Sequence, residues 1–116
     1  MKFLVLMAEE DTWNRWNALS DAEQQAAYDC FTAFTTAVEE RGKVIAGDAL
    51  DRPEQARTVR PGSERLVTEG PFAETVEQMG GFWVVELPDL ETAVEAARLL
   101  PEAYSVEVRP VVDMDD

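Results

Sequence analysis

The segment Val67-Thr68-Glu69-Gly70-Pro71-Phe72-Ala73-Glu74-Thr75 cannot be one strand or one helix. Pro71 has no amide hydrogen and a fixed φ, so no hydrogen-bond ladder runs through it, and Gly70 can adopt backbone angles that a side chain forbids. A strand must therefore end at Glu69 and the chain must turn. After a short polar connection, Gly80-Gly81-Phe82-Trp83-Val84-Val85-Glu86-Leu87 reads as a second strand opened by two glycines. The carboxylates of Glu69 and Glu74 flank this corner, with Phe72 between them as an apolar anchor.

Upstream, Phe3 to Ala8 is an uninterrupted apolar run of strand length, the pattern of a central strand covered on both faces. Glu9 to Asn17 is polar and reads as a loop. Its Trp13 and Trp16 serve either as packing or as a pocket wall near a strand end. Ser20-Asp21-Ala22-Glu23 has capping-box spacing and predicts a long helix. Ala27, Cys30, Phe31, Phe34 and Val38 form its apolar stripe, and Gly42, read as left-handed, closes it after Arg41. Lys43 to Ala49 is a strand with Asp48 near its end, and Leu50 to Gln55 is a connection. Ala56 to Arg60 and Glu64 to Glu69 are two arms of a hairpin around Pro61-Gly62-Ser63. Pro88-Asp89 stops the next strand and caps a second helix, whose stripe is Leu90, Ala93, Val94, Ala97 and Leu100. Tyr104 to Val112 alternates as a half-buried last strand.

With the hairpin set aside as an insertion, the order is strand, helix, strand, strand, helix, strand. That is the split βαβ of an α+β, ferredoxin-like domain, with an antiparallel sheet and both helices on one face. The other face has no cover within the chain, and Phe82, Trp83, Val84 and Val85 leave it little polar surface. A homodimer packed sheet to sheet, a dimeric α+β barrel-like assembly, is expected to bury it.

The 116 residues suit a single domain over residues 1–116, and 46% hydrophobic residues suffice for a core. One cysteine, Cys30, has no internal partner for a disulfide; it reads as a core residue, with a reactive thiol as the other role. The opening residues carry no basic leader and the first apolar run is too short for a membrane span. A cytoplasmic location is expected. Acidic residues outnumber basic ones 24 to 10, and the net charge of -14 repels nucleic acid and anionic membranes. With no histidine and one cysteine, neither a metal site nor a cofactor is expected.

The corner also carries a resemblance. Glu69-Gly70-Pro71-Phe72-Ala73-Glu74-Thr75, with Glu77-Gln78-Met79-Gly80-Gly81-Phe82 after it, is similar to the Asp-Gly-Pro-Phe segment that names the DGPF branch of the YCII-related proteins. The opening strand Met1 to Met7, the Gly42 to Gly47 start and the closing Val106 to Val111 fit the same family, and Glu69 stands where it usually has Asp. The resemblance implies a ferredoxin-like dimer whose paired sheets enclose a cleft. It also implies a tie to extracytoplasmic-function sigma factors, beside which DGPF relatives are encoded. In the wider group a His and Asp pair is the suggested active site, and some members handle chlorinated lactones. This chain has no imidazole, so acid–base chemistry would fall to carboxylates.

Glu69 and Glu74 are the catalytic candidates, and the same two residues could instead accept backbone amides and hold the turn. Asp48, Phe72, Trp83, Trp13 and Arg109 are the expected ligand-pocket residues. Two functions follow: a small-molecule binding or regulatory module, or an enzyme acting by carboxylate proton transfer on a small organic acid or lactone.

Overall fold

The computed structural model describes residues 1–72 and 77–114. Strand β1 (Lys2–Glu10) leads into helix α1 (Thr12–Ala18) and helix α2 (Asp21–Arg41). Strand β2 (Lys43–Ala49), a single 3-10 turn (Pro53–Gln55), and the short strands β3 (Arg57–Val59) and β4 (Val67–Glu69) follow. Strand β5 (Glu77–Glu86), helix α3 (Leu90–Ala97) and strand β6 (Ser105–Pro110) complete the order. The main sheet runs β2-β5-β1-β6 with every neighbouring pair antiparallel, and β3 pairs only with β4. This is the ferredoxin-like order expected from the sequence, with the hairpin as an insertion.

Period-two alternation decides which residues meet the helices. Phe3, Val5 and Met7 of β1, together with Val85 of β5, are buried on that side. The stripe of α2 (Ala27, Phe34, Val38) and of α3 (Ala93, Ala96, Ala97) covers them. Leu4, Leu6 and Ala8, with their partners Val84 and Phe82, project from the opposite side and are only half-buried. Glu107 and Arg109 pair with each other at the rim of that open face.

The start of α2 is chemically well defined. The Ser20 hydroxyl accepts from the Glu23 amide at 3.1 Å, and the Glu23 carboxylate accepts from the Ser20 amide at 2.9 Å. Asp89 caps α3 by accepting from the Thr92 amide at 2.8 Å. Both carboxyls are held below their ordinary range, chiefly by those amides. Because each folded value is lowered, the stabilisation is present above the ordinary carboxylate range and fades as pH falls through the folded value.

Four sequence expectations need correction. Residues 9–17 are not a loop: β1 continues through Glu10, and Asp11, at φ 51°, turns the chain into α1. A short polar side chain tolerates that left-handed angle better than most. Gly42 is not left-handed; its φ is -171°, and it is small for a different reason, the approach of the Glu86 carbonyl. Strand β5 begins at Glu77 and passes through both glycines, because Gly80 is the extra residue of a bulge where the partner of β1 shifts from Gly81 to Met79. Cys30 is half-buried at the edge of the α2 stripe.

Candidate functional site

A cavity of about 530 Å³ lies on the helix-covered side of the sheet, between α1, α2, the end of β2 and the start of β5. That volume is ordinary for a small-molecule site. Trp13 and Trp16 enter from α1, Tyr28 and Phe31 from α2, Trp83 from β5, and Tyr104 from the segment before β6. Thr12, Thr32 and Thr35 supply the polar edges. All three tryptophans of the chain line this one space.

Each wall follows from local sequence. Tyr28, Phe31, Thr32 and Thr35 recur at three- and four-residue steps, a second stripe beside the core stripe of α2. The core stripe packs on the sheet while its neighbour overhangs the cavity. Trp83 lies between the two, its ring centre 4.8 Å from that of Phe34 and 5.9 Å from that of Phe31. Gly47 of β2 makes room for it: a Cβ there would come within 2.4 Å of the Trp83 Cδ1. Trp16 and Tyr28 meet edge to face at 5.4 Å, and Tyr28 meets Phe31 at 6.1 Å.

Behind the cavity is a carboxylate that sequence reading passes over. Glu9 at the end of β1 is buried to 9% exposure; it accepts a long hydrogen bond, 3.4 Å, from the Thr12 hydroxyl. The Arg15 guanidinium stands 3.8 Å from its other oxygen. Thr12 and Tyr104 both line the cavity, so Glu9 stands one side chain behind its wall. Burial pushes the Tyr104 phenol above its ordinary range, the Glu9 charge adds to that, and the bond to Thr12 opposes it. The phenol is therefore a neutral group at physiological pH.

The expected pocket residues separate into two groups. Trp13 and Trp83 come together in the cavity, whereas Asp48 of β2 borders it only through its backbone, its side chain lying with that of its partner Phe82 on the open face. Glu69, Phe72 and Arg109 do not reach it. Glu69 ends β4 with its side chain 86% exposed, 4.0 Å from the Arg57 guanidinium. The Glu69 corner itself exists: Gly70 has φ +91°, its amide donates to the Ala56 carbonyl at 2.8 Å, and its own carbonyl accepts from the Thr58 hydroxyl at 2.7 Å. Phe72, expected as an anchor, is 82% exposed among the described residues and lies outside the core. Arg109 is engaged by Glu107 on the open face. Glu74 lies outside the described residues.

Among the described residues, no group of three or more Cys, Asp or Glu is placed to hold a metal ion, and no helix is long and apolar enough to cross a membrane. With the geometry in place, the comparison with known proteins is decisive as to family: the YCII-related domain matches residues 1–115. The chain belongs to the YCII-related family. This YCII-related domain is also similar to a protein of Rhizobium meliloti (strain 1021) described as uncharacterized, 34% identical over 100 residues that span 82% of this chain and 81% of that one.

Proposed function

We propose that this YCII-related chain is a small-molecule binding module that holds its ligand in the aromatic cavity and pairs with a second copy through the open sheet face. The observation that carries the proposal is the convergence of six aromatic side chains, from four separate parts of the fold, on one space of ligand size. Aromatic residues at that density would be expected to close on one another in a plain core; here they leave room.

Pairing is supported by the half-buried apolar band of Leu4, Leu6, Ala8, Phe82 and Val84, which no described helix of the chain covers. Sedimentation at micromolar concentration should give a dimer that Leu6→Lys converts to monomer; a wild-type monomer would remove this half of the proposal. The regulatory role, a tie to sigma-factor systems, rests on the DGPF resemblance, and a ligand cavity is the input such a module needs.

An enzyme acting through Glu69 or Glu74 finds less support, since the Glu69 carboxylate is solvated and does not line the aromatic cavity. An acid–base reading would have to move to Glu9 and its partner Thr12. The test is a thermal-shift screen of lactones, amines and small acids on wild type, Trp16→Leu, Glu69→Gln and Glu74→Gln. A ligand at one hundred times its Kd stabilises the native state by about 2.7 kcal/mol. That shift should vanish in Trp16→Leu and persist in both glutamine variants. Loss in the glutamine variants with retention in Trp16→Leu would move the site to the corner.

A further inference from the structure

We infer that the cavity takes an organic cation, a compact ammonium group carrying apolar substituents, and discriminates against carboxylates. The inference rests on the binding reading above and adds the charge and shape of the ligand.

Shape comes first. The ring contacts on the wall are steep: 84° between Trp16 and Tyr28, 77° between Tyr28 and Phe31, and 54° between Phe31 and Trp83. A flat ligand is best held between two parallel faces. Rings tilted this steeply make a cup, which suits a rounded group touching several π faces at once.

Charge gives the sign. Among the described residues no lysine or arginine lines the cavity. A carboxylate entering it would lose water and meet no basic side chain among the lining residues. The net charge of -14 favours a positive ligand. The protein already seats a cation of its own on one of these rings: the Arg52 guanidinium lies 5.1 Å from the centre of Trp13.

Three probes of one shape separate the contributions: choline, the alcohol in which a tert-butyl group replaces its trimethylammonium, and tert-butylacetate. Because all three tryptophans line the cavity, intrinsic fluorescence reads binding directly. Choline should bind roughly tenfold more tightly than the uncharged isostere, and the anion weakest of all. The preference should survive high salt, which screens the general field of the protein but not contacts inside the cup. Tyr28→Leu, at an exposed position where the fold tolerates change, should remove most of the preference. If the uncharged isostere equals choline, or the anion binds best, the cation inference is overturned while the pocket stands. Should none of the three alter the tryptophan emission, the inference is again overturned, and a blank thermal-shift screen as well would overturn the pocket itself.

Discussion

Phe34→Ala should lower stability by about 3–5 kcal/mol, the range for deleting a fully enclosed aromatic side chain. Phe34 has no exposed surface and sits in the cluster with Phe3, Val5, Val38 and Val85. Its removal leaves a void that α2 and the sheet cannot close without shifting, and the void borders Trp83. For a domain of this size the loss corresponds to a fall in Tm of roughly 15–25 °C. Calorimetry measures the fall, and the tryptophan emission of the folded variant should move to the red as Trp83 loses its backing. A loss under about 1.5 kcal/mol, the range of a volume-conserving swap, would mean that the core is not organised around this ring.

Gly42→Ala should be the next most damaging change, at about 3 kcal/mol, the upper end for forced overpacking. The reason is not backbone angle. A Cβ at position 42 would lie 1.8 Å from the Glu86 carbonyl oxygen and 2.9 Å from its carbon. Both are backbone atoms of β5, so no rotamer change relieves the clash; α2 and β2 must move apart from the sheet. Equilibrium denaturation of the variant beside Gly62→Ala is the check, because Gly62, although at φ +118°, has open space around it. Gly42→Ala should be the worse of the two. Equal stability of Gly42→Ala and wild type would show that the helix-to-strand junction is looser than described.

Local chemistry was largely legible before the structure. The Ser20 and Glu23 box, the Ala27 to Val38 stripe, the limits of β2 and the Gly70 corner each depend on residues within a few positions of one another, and each appears where the sequence places it. Helix α1 was not legible. It has seven residues, begins after a left-handed aspartate with no side-chain cap, and shows the body little beyond Thr12 and its tryptophans. The cavity was legible only in part. Trp13 is legible as a tryptophan near a strand end, whereas Tyr28 and Thr32 become pocket residues only once α2 is set on the sheet, and Tyr104 only once β6 is paired with β1. Glu69 shows the converse. The corner that fixes it is local, but the distance of the hairpin from the cavity is set by pairing that no short motif encodes.

The central claim is that ligands bind where the three tryptophans converge. Nuclear magnetic resonance of the indole N–H groups tests it most directly, since each tryptophan contributes one resolved signal. Titration with any compound that raises Tm should shift the Trp13, Trp16 and Trp83 signals together and saturably, while amides of the β3 and β4 hairpin stay still. Shifts confined to that hairpin around Glu69, with the three indoles unmoved, would contradict it.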